Sequence, residues 1–222
     1  MSIKRFLYIT ISKLINKHHV RIIKTLKCWE EVDTIDPDYI RCSTLELICC
    51  EVLERPIPGE AAEVGVYRGN FSSLINKFLP DRQLYLFDTF EGFDEQEKNF
   101  DIENKFTKHP NDFSDTSIDE VLRKMTNKEN CIVKKGHFPD TAQNIDKAFC
   151  FVSLDADLYS PTKAGLEFFW PRLSIGGTIM VHDYNNNVYL GVRKAVQEFS
   201  EENNIGYISL ADNYGTAIFI KS

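Results

Sequence analysis

Two short apolar runs end in acids. FVSLDADLYSPT (residues 151–162) carries Asp155 and Asp157 straight after Phe151-Val152-Ser153-Leu154, and IMVHDYN (residues 179–185) carries His182 and Asp183. Carboxylates brought to one edge of a sheet repel each other in low dielectric, and tolerate it by sharing a proton or a cation. Oxygen ligands with an open coordination position suit Mg²⁺ or Ca²⁺. Asp155 and Asp183 are therefore candidate metal ligands. His182 has three readings: ligand to a softer metal, proton acceptor, or packing residue. Side chains alternate along a strand, so His182 and Asp183 need not face the same way. Asp157 also has three: contact with the metal's waters, contact with an acceptor, or ordering of the loop before Pro161.

A second set points to the ligand. In AEVGVYRGN (residues 62–70), Gly65 and Gly69 let the backbone turn tightly and approach a bound group. The helix that follows presents free N–H groups. The spacing is G-x-x-x-G, which misses the dinucleotide fingerprint G-x-G-x-x-G and disfavours a nicotinamide dehydrogenase. Glu63 would repel a pyrophosphate but suits a sulfonium or ammonium cation. LYLFDTFEGF (residues 84–93) places Asp88 23 residues after Gly65, where an acid can accept both ribose hydroxyl protons of an adenosyl group. An adenosyl ligand without a phosphate points to S-adenosylmethionine rather than NAD.

These residues need a scaffold. Residues 60–66, 83–87, 131–133, 148–154 and 177–181 read as strands, alternating with helices over 70–78, 117–126, 162–169 and 188–202 and a weak helix over 141–145. A helix over 38–54 precedes them. Residues 207–210 and 216–220 read as two further strands joined by a short turn, hence antiparallel neighbours. The alternation implies a mostly parallel sheet covered on both faces. Ligands then bind beyond the carboxyl ends of the strands, where the candidate residues fall. Residues 91–114 are acidic, aromatic and aperiodic, as expected of a long surface excursion such as a lid.

The chain has 222 residues, 43% of them hydrophobic, enough for one sizeable core. Its formal charge of −7 argues against a nucleic-acid partner. Residues 1–27 hold seven Lys/Arg and no acid, leaving 19 basic and 33 acidic side chains elsewhere, a net of −14. Residues 3–27 read as an amphipathic helix that packs on the body or a second subunit, lies on an anionic membrane surface, or is disordered when isolated. The six cysteines lack metal-site spacing and suit reduced thiols in a cytoplasmic protein. No apolar run reaches the roughly 20 residues that span a bilayer.

The blocks E-V-G-V-Y-R-G-N, L-F-D-T-F-E-G-F, K-G-x-F-P-D-T, S-L-D-A-D-L-Y-S-P-T and P-R-L-S-I-G-G-T-I-M-V-H-D-Y run in order from about Cys42 to Phe199. Together they resemble the macrocin O-methyltransferase (TylF-like) family. The resemblance implies an α/β, Rossmann-like seven-stranded sheet, mostly parallel with an antiparallel final strand and helices on both faces. It implies S-adenosylmethionine as donor and a divalent metal, usually Mg²⁺. By position, Asp155 is metal ligand, base and cofactor contact, and Asp183 is a second ligand. His182 stands where the family has an acid, as catalytic group or third ligand. Glu63, Gly65 and Gly69 line the donor's methionine end, Asp88 its ribose, and Gly136, His137 and Phe138 its adenine, with Tyr67 and Thr89 among the donor contacts.

The expected reaction is methyl transfer to a hydroxyl of a sugar, glycan or glycosylated natural product. The alternatives are a catechol-like or other small diol as acceptor, and a non-catalytic module that only binds the adenosyl ligand. The expected organisation is a basic helical extension (residues 1–34) before a methyltransferase domain (residues 35–222), in a homo-oligomer. The expected location is cytoplasmic, with peripheral contact at the inner membrane as one role for residues 1–27.

Overall fold

The computed structural model describes residues 38–222. The basic helix expected over residues 3–27 and the boundary at residue 34 lie outside them. Helix α1 (Tyr39–Glu54) opens the described chain. Asp38 caps it by accepting from the Arg41 N–H, and its other oxygen accepts from the Asn213 N–H at 2.8 Å. One N-cap thus fixes the helix to the loop between the last two strands.

The rest alternates as the sequence predicts. Strands β1 (Glu60–Val64), β2 (Leu84–Asp88), β3 (Cys131–Lys135), β4 (Phe149–Leu154), β5 (Leu173–Val181), β6 (Ile208–Ser209) and β7 (Ala217–Ile220) form one sheet in the order β3-β2-β1-β4-β5-β7-β6. The pairings are parallel until β7, which runs antiparallel to both β5 and β6. The chain reverses direction across the sheet between β1 and β4, so a cleft opens at their carboxyl ends. β4 is buried at every position because helices cover both of its faces. Phe149 and Phe151 are among its fully buried side chains, each contributing about 1.5–3 kcal/mol of burial.

Helices α2 (Asn70–Phe78), α3 (Glu95–Glu103), α4 (Ile118–Lys124), α5 (Tyr159–Phe169) and α6 (Leu190–Asn203) complete the fold. No helix among the described residues is long and apolar enough to cross a membrane. The described cysteines Cys42, Cys49, Cys50, Cys131 and Cys150 are free thiols.

Four expectations change. The 91–114 excursion is not wholly irregular, because α3 lies within it. Its sequence EQEKNFDIE has almost no apolar period, so the helix depends on its cap, where Asp94 accepts from the N–H groups of Gln96 and Glu97. Helix α5 starts three residues earlier than predicted. Pro161 sits in its first turn, where a missing N–H breaks no helical bond. β5 begins at Leu173 and runs through Gly176-Gly177, with a register shift against β4 between Phe149 and Phe151. The weak helix over 141–145 is only a 3₁₀ turn, Asp140–Ala142.

The buried Asp101 anchors the excursion. Its carboxylate accepts from the Tyr159 N–H at the start of α5, and its carbonyl accepts from the Phe106 and Thr107 N–H groups. Burial pushes its pKa up to about 6. Gly191 in α6 makes room for it, since a Cβ there would stand 2.8 Å from Asp101 Oδ2.

The tightest backbone approach joins the two halves of the sheet. Gly65 has φ +83°, and a Cβ on it would lie 1.9 Å from the Asp155 carbonyl oxygen. Gly65→Ala would force a left-handed alanine against fixed backbone. The expected cost is at least about 2 kcal/mol, read as a lower urea midpoint; a loss under about 0.5 kcal/mol would refute the packing described.

Candidate active site

Asp155 follows β4, and its N–H donates to the Val64 carbonyl of β1. His182 follows β5, and its N–H donates to the Leu154 carbonyl of β4. Two ladder bonds therefore carry the acids to one place. Asp155 Oδ2 meets the Arg41 guanidinium at 2.8 Å, and Asp155 Oδ1 meets His182 Nδ1 at 3.0 Å. The same nitrogen lies 3.2 Å from Asp183 Oδ2. His182 and Asp183 therefore reach a common point despite being neighbours in sequence. Asp183 adopts φ 61°, which turns its side chain inward, and Asn186 Nδ2 donates to its Oδ1 at 2.6 Å. Asp157 also has a left-handed backbone (φ 59°) and lines the same cleft.

The electrostatics follow from this crowding. Burial alone would raise the Asp155 pKa, but the Arg41 and His182 cations outweigh it and hold the carboxyl below its usual range. Burial also works against the His182 imidazolium, yet the Asp155 carboxylate prevails and pushes it up to about 10. Asp157 shifts the other way: burial, then the charges of Asp183 and Asp155, push it well up. Arg41 is itself held, with its guanidinium 3.9 Å from the centroid of the Phe71 ring.

Asp155, His182 and Asp183 each offer one ligand atom, all within 4.8 Å of one another. Two carboxylates and one imidazole, with Asp157 beside them, are a donor set that fits a divalent cation, provided the His182 ring gives up its proton as the cation binds.

The cleft encloses about 870 Å³ and reaches from this cluster across β1 and β2 to β3. Glu63 lines it and is 1% exposed. The Ser72 hydroxyl donates to its carboxyl, but burial dominates and pushes the pKa up to about 8. The sequence suggested a carboxylate here; without a bound cation, Glu63 is mostly protonated at neutral pH. Asp88 Oδ2 accepts from the Val66 and Tyr67 N–H groups at 2.7 and 2.8 Å, and Oδ1 accepts from Phe90 N–H. The acid thus shapes the glycine loop while lining the cleft. Farther along, His137 Nε2 contacts Glu97 Oε1 at 3.0 Å, while Gly136 and Phe138 complete that wall.

Three predicted contacts also have framework roles, and two of them, Tyr67 and Thr89, line the cleft. Gly69 is absent from the cleft wall; a Cβ there would strike Val121 of α4, so this glycine serves helix packing. The Thr89 hydroxyl donates to the Gly92 carbonyl and accepts from the Glu91 N–H, tying its own turn. The Tyr67 hydroxyl donates to Asp115, so only its ring and backbone border the cleft. Sequence reading missed Arg41 altogether. A single basic residue in a helix carries no signal until the fold brings it 114 positions along the chain to Asp155.

Fold and cleft define a Rossmann-like sheet of the methyltransferase type. A family model for macrocin-O-methyltransferase (TylF) matches residues 39–219, and the chain belongs to this family. It is 31% identical over 147 residues to demethyldecarbamoylnovobiocin O-methyltransferase of Streptomyces niveus, covering 60% of this chain and 56% of that protein. It is 28% identical over 157 residues to 8-demethyl-8-(2,3-dimethoxy-alpha-L-rhamnosyl)-tetracenomycin-C 4'-O-methyltransferase of Streptomyces olivaceus, covering 65% and 60%. The matches thus span less than two thirds of either relative. The solved structure of the O-methyltransferase NovP superposes with a TM-score of 0.67 at 21% identity, over 82% of this chain and 79% of that one.

The Glu63 environment has a measurable consequence. An acid whose folded pKa is raised keeps its proton in the folded state after the unfolded chain has lost it. Its contribution to stability is therefore lost as pH rises, by about 1.4 kcal/mol per unit between the two pKa values. Those values are 4.5 and about 8. Glu63→Gln should remove that slope, so the variant gains roughly 2–3 kcal/mol on the unsubstituted protein between pH 5.5 and 7.5. Urea unfolding of both proteins at the two pH values checks this, and parallel pH profiles would contradict it.

Proposed function

We propose that this chain is an S-adenosylmethionine-dependent O-methyltransferase acting on a hydroxyl of a sugar, glycan or glycosylated natural product, with residues 35–222 as its catalytic domain. One observation carries the reading. A single cleft joins a wall of Glu63, Asp88 and His137, suited to an adenosyl donor, to the Asp155–His182–Asp183 cluster. The two curated relatives are named as O-methyltransferases, and one of them for a rhamnosyl 4' position.

Glu63 faces the donor's cationic end, and a bound cation favours loss of its proton. Asp88 offers its free lone pairs to the ribose hydroxyls, and the His137–Glu97 pair borders the adenine. Asp155, Asp183 and His182 would hold a divalent metal, with Mg²⁺ the choice the family resemblance favours. When bound, such an ion lowers the pKa of an acceptor hydroxyl and fixes its direction.

The base is better assigned to Asp157 than to Asp155. Asp155 has both oxygens committed, to Arg41 and His182. Asp157 faces the cleft with no basic side chain in salt-bridge contact among the described residues. Once a bound cation offsets the charges of Asp183 and Asp155 and Asp157 loses its own proton, it is suited to take the hydroxyl proton as the methyl group moves in line from sulfur to oxygen. Arg41 keeps Asp155 ionised.

Methyl transfer from labelled donor, screened against nucleotide sugars and cell-envelope glycans, tests the activity. With an acceptor found, Asp157→Asn and Asp183→Asn should each lower kcat by about 100-fold or more, with donor affinity by calorimetry held within about threefold. Loss of donor affinity in step with activity would overturn the division of labour, and undiminished turnover in EDTA would remove the metal.

A further inference from the structure

His182 belongs to two groups of acids. Its Nδ1 lies 3.0 Å from Asp155 Oδ1 and 3.2 Å from Asp183 Oδ2, in the cluster read above as a metal site. The ligand atoms of Asp38, His182 and Asp212 also lie within 4.8 Å of one another. Asp38 caps α1, and Asp212 sits in the loop between β6 and β7. That loop reaches the imidazole because Val181 of β5 pairs with Ala217 of β7, which sets the residues just before β7 beside His182. The Tyr214 ring of the same loop meets the imidazole edge-on, with centroids 6.0 Å apart.

The hydrogen bonds separate the two acids. Asp38 has both carboxylate oxygens committed, to the Arg41 and Asn213 N–H groups. Asp212 has one committed, since its Oδ2 accepts from the Thr216 hydroxyl at 2.5 Å. Its Oδ1 is buried and has no hydrogen-bond partner. Of the four buried side-chain polar atoms without a partner among the described residues, it is the only carboxylate oxygen. Native structures leave few such atoms, and each exception has a cause. Closed off from solvent, Oδ1 is satisfied only by a group inside the protein. The imidazole supplies the matching donor: Nδ1 faces Asp155 and Asp183, while Nε2 makes no hydrogen bond among the described residues.

We propose that Asp212 is the positioning residue for His182: with a divalent cation on Nδ1, the ring donates its Nε2–H to Asp212 Oδ1. This rests on the metal reading of the Asp155–His182–Asp183 cluster. A metal-bound imidazole keeps one N–H, and the acceptor that receives it fixes the tautomer and the turn of the ring and makes the ring a stronger ligand. Thr216 holds the Asp212 carboxylate by its other oxygen. The β6–β7 loop, which follows the last helix of the fold, thereby supports the metal site without touching the metal.

Calorimetry of Mn²⁺ binding to the full chain tests this, with S-adenosylhomocysteine titrated in parallel. Asp212→Asn keeps the size of the side chain and an oxygen for Thr216, and removes the charge that holds the ring. It should weaken Mn²⁺ binding by about 10-fold or more, while S-adenosylhomocysteine affinity stays within about twofold. In a His182→Asp background, which keeps a ligand but has no second nitrogen to orient, the same substitution should cost no more than about threefold. Equal losses in the two backgrounds overturn the proposal, because Asp212 would then act through its charge or through folding alone. The second measurement is the His182 Nε2–H signal of ¹⁵N-histidine-labelled protein with diamagnetic Mg²⁺, assigned by its absence from His182→Asp. It should exchange slowly with solvent in the unsubstituted protein and be lost in Asp212→Asn; a signal indifferent to Asp212→Asn overturns the hydrogen bond. Absence of Mn²⁺ binding to the unsubstituted protein removes the metal cluster and this role with it. Bound Mn²⁺ that is insensitive to Asp212→Asn removes the role and leaves the cluster standing.

Discussion

Asp155, Asp157 and Asp183 stand at the ends of two neighbouring strands, and their mutual repulsion is the constraint that the surrounding structure answers. Two like charges 4 Å apart cost about 4 kcal/mol at an effective dielectric of 20. The fold meets this with cations and donors drawn from separate elements. Arg41 comes from α1, His182 from the end of β5, and Asn186 from the turn beyond. Each is held in turn: Arg41 by the Phe71 ring, and α1 by the Asp38 cap that also grips Asn213. A helix outside the alternating strand–helix core thus becomes part of the cleft's chemistry.

The other half of the cleft solves a different problem. The proposed cationic donor calls for negative charge, but a permanent carboxylate inside the sheet would be costly. Glu63 is arranged so that it is mostly neutral until a cation arrives. Asp88 stays useful by binding three backbone N–H groups, which order the glycine loop before any ligand is present. The two halves meet where Gly65 passes the Asp155 carbonyl, so the glycine loop and the acid loop are positioned by the same backbone contact.

Much of this was legible in the sequence, for identifiable reasons. Apolar strands closed by acids gave β2, β4 and β5 with their terminal residues, because a parallel sheet buried on both faces requires continuous apolar runs. That Asp155 and Asp183 lie together followed from the adjacency of their strands. Helix α3 was hidden because capping rather than apolar period defines it. Arg41 was hidden because nothing local distinguishes it from any other surface arginine. That Gly69 also makes room for Val121 of α4 was not legible, because a glycine's sequence position does not reveal which neighbour it admits. Asp157 was the ambiguous acid, and its place opposite Asp183 became clear only with the loop conformation.

Asp101 links two segments that are far apart in sequence. Its carboxylate holds the first turn of α5, which begins just after Asp157, while its carbonyl holds the loop that carries Lys105 and Thr107. Gly191 of α6 is kept small to admit it. A chimera that grafts a relative's excursion between β2 and α4 would inherit a new cleft wall. It would keep the acid loop in register only if the graft brought its own carboxylate to this seat. A change to this part of the cleft that keeps Asp101 therefore leaves the acid loop seated.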